Sequence, residues 1–160
     1  MKGLFNSFRW AWCGFVYCLR TQRNLRIHLV AAALALWFAG RFGLDRGEYA
    51  LLWLTIGLVV AAELFNTAAE NLTDLCCPNF DRRAGLVKDI AAGAMLLAAA
   101  AAVGVGVCLF WQPALWRQML QQPRQLVIPL AIAVVGVWAV FGLPYAKDET
   151  NTDKEQELKL

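Results

Sequence analysis

Residues 63–89, with the sequence ELFNTAAENLTDLCCPNFDRRAGLVKD, begin at the end of a long apolar run and carry the polar groups around which the chain is organised. At 3.6 residues per turn, a helix through this stretch places four polar side chains on one narrow stripe: Glu63, Asn66, Glu70 and Asp74. A polar stripe beside lipid is costly unless it meets cations, a metal ion or water. The stripe therefore predicts a binding site.

The composition indicates the class of protein. Of the 160 residues, 59% are hydrophobic and 17% are charged, and the mean hydropathy is +0.48. Soluble domains carry about a quarter charged residues, and several apolar runs here are long enough to cross a bilayer. We therefore expect an all-α membrane protein that forms one small bundle. The modest net charge of +3, with basic residues near helix ends, argues against nucleic-acid binding.

Five helical segments are expected. Residues 3–20 should form an amphipathic helix in the membrane interface, with aromatic and leucine side chains on one face and basic ones on another. Spanning helices are predicted over residues 29–42, 49–77, 82–111 and 126–143. The third of these spans is dense in alanine and glycine, so we expect it to pack centrally.

The connecting segments complete this organisation. A basic junction (21–28), a glycine-containing turn (41–48) and a polar connection with interfacial tryptophans (111–125) separate the helices. Three parts of the chain are expected: a membrane domain of residues 1–111, an extra loop and spanning helix of residues 112–146, and a charged, disordered tail of residues 147–160.

Helix length predicts the depth of the polar stripe. Since about 17 helical residues reach across the hydrocarbon, Glu63 is expected near the membrane boundary, with Glu70 and Asp74 beyond it. This placement predicts an interfacial site rather than a buried proton relay. An antiparallel hairpin with the next helix would place Lys88 and Asp89 opposite Glu70.

The chemistry of the stripe depends on the compartment that it faces. Most of the 15 lysines and arginines lie in the N-terminal region, the loop before the third span and the tail, so both termini and the stripe should face the cytoplasm. Carboxylates beside a lysine suit a magnesium nucleotide, and one carboxylate could accept the proton of a lipid hydroxyl. Two other interpretations stay open: an acidic helix end neutralised by arginines, or a small transporter with Glu63 as its coupling carboxylate.

Three segments of the chain closely resemble the bacterial diacylglycerol kinase/undecaprenol kinase family. They are RNLRIHLVAA (23–32), IGLVVAAELFNTAAENLTDL (56–75) and VKDIAAGAMLLAA (87–99). The resemblance covers about residues 3–111, and the sequences RNLRIH and KDIAAG resemble the undecaprenol kinase branch more than the enterobacterial diacylglycerol kinase branch. It implies a homotrimer with shared active sites in the bacterial cytoplasmic (inner) membrane. It also implies that ATP and Mg²⁺ are used to phosphorylate a lipid alcohol, either undecaprenol or diacylglycerol.

The resemblance also implies roles for individual residues. Glu63 matches the general base, which also contacts the lipid, and Glu70 matches a carboxylate that binds both metal and ATP. Other matching positions are the nucleotide-contacting Trp10, Asn79, Phe80, Asp81, Lys88 and Asp89, the lipid-contacting Ala92, and the supporting Asn66 and Asp74.

Two departures from the family pattern affect these expectations. Gln22 stands where the family has a second metal-binding glutamate that also contacts the nucleotide, and it offers a carbonyl oxygen without charge. A weakly active regulatory relative of the kinase is therefore a further alternative. The fourth span and the tail have no counterpart in the resemblance.

Overall fold

The computed structural model describes residues 2–143, and every regular element in this range is helical. The six α-helices are α1 (Lys2–Thr21), α2 (Arg23–Phe42), α3 (Arg46–Cys76), α4 (Arg82–Phe110), α5 (Pro113–Gln121) and α6 (Val127–Phe141), and a 3₁₀ turn (Pro123–Leu126) precedes α6. Within the described residues, four helical stretches are long and apolar enough to cross a membrane: α2, α3, α4 and Pro123–Phe141. The predicted all-α membrane fold is confirmed. The predicted tail lies outside the described residues.

The junction between the first two helices is shorter than the predicted residues 21–28. α1 ends at Thr21 and α2 begins at Arg23, so Gln22 alone separates them, in an extended conformation with φ −104° and ψ 115°. Leucine and arginine favour helix, and Leu25 lies fully buried on the first turn of α2.

The turn between α2 and α3 is shorter than predicted. Gly43 ends α2 in the left-handed region, at φ +65°, which glycine adopts without steric cost. Asp45 then caps α3, because its carboxylate accepts from the backbone N–H of Glu48 while the Glu48 carboxylate accepts from the N–H of Asp45. Gly47, expected in the turn, is therefore helical, and α3 begins before the predicted Tyr49.

The hairpin of α3 and α4 forms the main body of the described chain. Asp81 caps α4, and its carboxylate accepts from the N–H groups of Arg83 (2.6 Å) and Ala84 (3.3 Å). The expectation that α4 packs centrally is wrong within the chain, because α4 lies mainly against α3 and buries only Met95 and Leu109.

An aromatic cluster closes the end of the bundle away from the polar stripe. Phe42 packs edge-on against Phe110 and against Trp116, with ring centroids 5.6 and 5.1 Å apart. The indole N–H of Trp116 donates to the Phe110 carbonyl at 2.8 Å. The predicted polar connection of residues 111–125 contains a helix, α5, which carries Trp116 and folds back onto the core through Met119. The half-buried Trp116 indole is stabilised there by its satisfied N–H.

The capping box of α3 gives a test of the fold. Asp45→Ala should lower the free energy of unfolding by about 1 kcal/mol, since it removes a cap at the start of a spanning helix. Denaturant titration in detergent micelles measures the change. Asp45→Asn keeps an acceptor at the cap and serves as the control. Equal stability of the alanine variant and the unmodified chain would contradict the capping role.

Candidate functional site

The side chains of the polar stripe become more exposed to solvent along α3, from Glu63 to Asp74. Glu63 is 1% exposed and Asn66 is buried, whereas Glu70 is half-buried and the Asp74 side chain is 66% exposed. The predicted shared helix face is therefore present. Other parts of the protein enclose the Glu63 carboxylate, and its position near the membrane boundary stays a prediction.

Part of the cover over Glu63 comes from the last turns of α1. The buried Cys18 lies beside Glu63 and Thr67, and burial, followed by the charge of the Glu63 carboxylate, raises the pKa of the Cys18 thiol. Nearer the exposed end of the stripe, the Asn71 amide donates to the Tyr17 hydroxyl at 3.5 Å. The C-terminal half of α1 is thus joined to α3 beside the stripe.

Two buried oxygens of the stripe have no hydrogen-bond partner among the described residues. They are Glu63 Oε2 and Asn66 Oδ1. The Asn66 amide N–H group donates instead to Glu70 Oε1 at 2.9 Å, so Asn66 orients the Glu70 carboxylate. A buried acceptor without a partner costs about 1–3 kcal/mol. These two oxygens are therefore suited to a donor from outside the described residues.

Lys88 binds a different carboxylate from the one expected. Its ammonium lies 2.5 Å from Asp74 Oδ1, and among the described side chains this is the one ion pair. This contact lies nearer the exposed end of the stripe than the predicted contact with Glu70. Glu63 and Glu70 therefore have no lysine or arginine partner within the described residues. The described residues therefore give no support to the interpretation of an acidic helix end neutralised by arginines.

The other predicted site residues lie on surfaces around the stripe. Gln22 is half-buried at the α1–α2 break and its side chain caps no helix. The exposed predicted residues are Trp10, Asn79, Phe80, Asp81, Asp89 and Ala92. No hydrogen bond within the described residues joins Gln22 or any of these side chains to Glu63 or Glu70. The described residues also contain no cluster of three histidine, cysteine or acidic side chains that could hold a metal ion.

Three residues that the sequence analysis did not select belong to this region. Thr67 follows Glu63 by one turn and donates its hydroxyl to the Glu63 carbonyl at 3.0 Å, so helical spacing could have identified it. Cys18 carried no signal, since its role depends on how α1 packs. Arg26 was counted only as an orientation signal, and it is buried.

The residues of this site lie within a match to a known protein family. Residues 9–110 match the family described as Prokaryotic diacylglycerol kinase. The chain belongs to that family. The matched region includes the whole stripe and ends at the last residue of α4, so α5 and α6 lie beyond it.

Two relatives in the prokaryotic diacylglycerol kinase family carry different names. The chain is 46% identical over 110 residues to a diacylglycerol kinase of Synechocystis sp. (strain ATCC 27184 / PCC 6803 / Kazusa). The aligned region covers 68% of this chain and 63% of the relative. The chain is 34% identical over 110 residues to an undecaprenol kinase of Bacillus subtilis (strain 168). The aligned region covers 69% of this chain and 89% of the relative. The matched part therefore spans less than two thirds of the first relative. No solved structure matches the chain significantly.

The unpaired carboxylate gives a test by stability. Glu63→Met should raise the free energy of unfolding by about 1–3 kcal/mol, because it removes a buried acceptor without a partner. Denaturant titration in micelles measures the change. The matched control is Glu70→Met, which removes a half-buried, hydrogen-bonded carboxylate and should not stabilise the protein. Loss of stability in Glu63→Met would show that the Glu63 carboxylate has a stabilising partner in the assembled protein.

Proposed function

We propose that this protein is a lipid kinase that transfers the terminal phosphoryl group of ATP to the hydroxyl of a membrane lipid, with Mg²⁺. The observation that carries the proposal is the buried, unpartnered Glu63 oxygen on the same helix face as the accessible Glu70 carboxylate. Family membership and the names of the two relatives support the reaction class. Undecaprenol and diacylglycerol are the two candidate acceptors.

Glu63 acts as the general base in this proposal. Its Oε2 atom accepts the proton of the lipid hydroxyl, while the hydroxyl oxygen bonds to the terminal phosphorus and the bond to the bridging oxygen of ADP breaks. Burial supports this role, because an enclosed carboxylate meets a lipid hydroxyl without competition from bulk water. The second unpartnered oxygen, Asn66 Oδ1, can hold a hydroxyl donor beside it.

Glu70 holds the metal side of the proposed site. Its Oε1 accepts from Asn66, and no hydrogen bond from a described residue reaches its Oε2. Carboxylate and amide oxygens are ligands that Mg²⁺ accepts, so Glu70 and the Gln22 carbonyl oxygen fit this ion by donor type. When bound, Mg²⁺ would neutralise phosphate charge. The other ligands would come from the nucleotide, water or a second subunit.

The exposed residues around α1 and the α3–α4 loop form the proposed nucleotide surface. Trp10 and Phe80 present exposed aromatic side chains, and Asn79, next to Phe80 in the chain, presents an exposed amide. Lys88 would exchange Asp74 for a phosphate, with Asp89 next to it, since a lysine ammonium serves as a point charge for phosphate. Asp81, whose Oδ1 also caps α4, would contact the nucleotide as well, and Ala92 would contact the lipid.

The assembly and orientation follow from the same proposal. A single chain offers no three-residue acidic cluster within its described part, so a homotrimer with sites shared between subunits would complete the metal environment. Both termini would face the cytoplasm of the bacterial inner membrane, where ATP is present. Burial of Glu63 also favours a second candidate, a transporter in which this carboxylate couples proton movement.

The base role of Glu63 is tested with labelled ATP, Mg²⁺ and each lipid in detergent. The unmodified protein should form labelled lipid, and Glu63→Gln should lower kcat by roughly 10²–10⁴-fold, because the amide cannot accept the proton. Glu48→Gln, at the opposite end of the same helix, is the control and should keep near-normal activity. Equal lipid labelling by both proteins would remove Glu63 as base. Proton movement without lipid labelling would favour the transporter.

The metal role of position 22 is tested by restoring the charge. Gln22→Glu should lower the Mg²⁺ concentration for half-maximal activity by roughly tenfold, since a carboxylate replaces a neutral ligand. Gln112→Glu is a matched control, because Gln112 also stands at a helix N-cap and its side chain makes no cap hydrogen bond. An unchanged Mg²⁺ requirement would show that position 22 does not contact the metal.

A further inference from the structure

Arg26 is the feature of this region that the proposed chemistry does not use. It lies in the first turns of α2 and is only 6% exposed. Its Nε donates to the Leu19 carbonyl at 2.7 Å and its Nη2 to the Arg20 carbonyl at 2.7 Å. Its Nη1 donates to the carbonyls of Ala139 (3.1 Å) and Leu143 (3.3 Å). The Arg26 side chain thus binds the end of α1 and also two carbonyls that lie 113 and 117 residues further along the chain.

The carbonyls that Arg26 binds belong to the ends of two helices. Leu19 and Arg20 are in the last turn of α1, and Ala139 is in the last turn of α6, with Leu143 just beyond it. Carbonyls at a helix C-terminus lack partners within the helix and carry the negative end of its dipole. A guanidinium satisfies both ends at once because it presents five N–H groups in a fixed plane.

α6 is held against α2 independently of Arg26. A Cβ atom added at Gly136 would lie 2.5 and 2.8 Å from the two methyl groups of Val30, so the two helices approach closely at this glycine. Pro129 and Val140 are also buried on α6. α6 is therefore a docked element whose C-terminal end has a defined position relative to Arg26.

The α1 end of this connection lies next to the cover over Glu63. Cys18, which lies beside Glu63 and Thr67, immediately precedes the Leu19 carbonyl that Arg26 binds. Tyr17, which accepts from Asn71 of α3, is one residue further back. The position of Arg26 therefore fixes the part of α1 that encloses the carboxylate.

We propose that Arg26 is a positioning residue through which α6, a helix outside the family match, holds α1 closed over Glu63 and excludes water from the site. The water-exclusion part rests on the proposed function. If α1 loosens, water can replace the lipid hydroxyl: its oxygen bonds to the terminal phosphorus of ATP, the bond to ADP breaks, and phosphate and a proton are released. Loosening should therefore raise lipid-independent ATP hydrolysis relative to lipid phosphorylation.

Cys18 provides a reporter that does not depend on activity. In a background with Cys13→Ser, Cys76→Ser, Cys77→Ser and Cys108→Ser, Cys18 is the remaining thiol, and its rate of maleimide labelling measures how often α1 opens. Arg26→Gln should raise this rate by roughly tenfold, because charge-assisted hydrogen bonds between α1 and α6 are lost. Gly136→Leu, which forces α6 away from Val30, should raise it in the same direction.

Two matched controls accompany these variants. Arg23→Gln removes an exposed arginine from the same turn of α2, and Val135→Phe enlarges an exposed side chain beside Gly136. Both should label at the rate of the parent. In the kinase assay, Arg26→Gln and Gly136→Leu should raise the ratio of phosphate released to lipid phosphorylated, with a larger effect on kcat than on the KM for ATP.

The outcomes separate this inference from the proposed function. Unchanged Cys18 labelling in folded Arg26→Gln and Gly136→Leu proteins would overturn the positioning role, whatever the activity. Faster labelling with an unchanged ratio of phosphate released to lipid phosphorylated would overturn the water-exclusion part. If the parent phosphorylates neither lipid, the proposed function fails, while the labelling still decides whether Arg26 and α6 hold α1. Should Arg26→Gln not fold, Gly136→Leu decides the question alone.

Discussion

The site depends on a carboxylate that the protein buries without pairing it. Glu63 is enclosed on α3, and one of its oxygens has no hydrogen-bond partner among the described residues. Burial of such a group is destabilising, and natural proteins accept this cost at sites of chemistry. The surrounding contacts fit this interpretation: Asn66 gives its amide N–H group to Glu70 rather than to Glu63, and Thr67 bonds a backbone carbonyl.

The helical content and the polar stripe could be predicted because both depend on local periodicity. Long apolar runs fix the spans, the 3.6-residue repeat fixes which polar residues share a face, and the Asp81 cap follows from residue type at a helix start. The predicted start of α3 at Tyr49 is wrong because the reciprocal bonds of Asp45 and Glu48 begin the helix at Arg46. Sequence periodicity thus predicts which segments are helical, whereas the residues at which each helix begins and ends depend on capping.

Contacts between distant segments could not be predicted in the same way. The enclosure of Glu63 depends on how α1 crosses α3, and counting residues along a span carries no information about a neighbouring helix. Arg26 binds carbonyls contributed by α6, far along the chain, and its sequence signal is indistinguishable from that of an exposed membrane-orienting arginine. Lys88 was expected opposite Glu70 and pairs with Asp74 instead, because helical rise alone does not fix the register of two packed helices.

The account requires that an external donor reach the buried oxygen while a nucleotide occupies the accessible end of the same stripe. A structure of the assembled protein with Mg²⁺, a non-hydrolysable ATP analogue and a lipid alcohol tests this most directly. We predict the lipid hydroxyl within hydrogen-bonding distance of Glu63 Oε2, with the metal and the terminal phosphate on the Glu70 side. A neighbouring subunit's lysine or arginine bound to Glu63, with lipid and nucleotide elsewhere, would contradict the account.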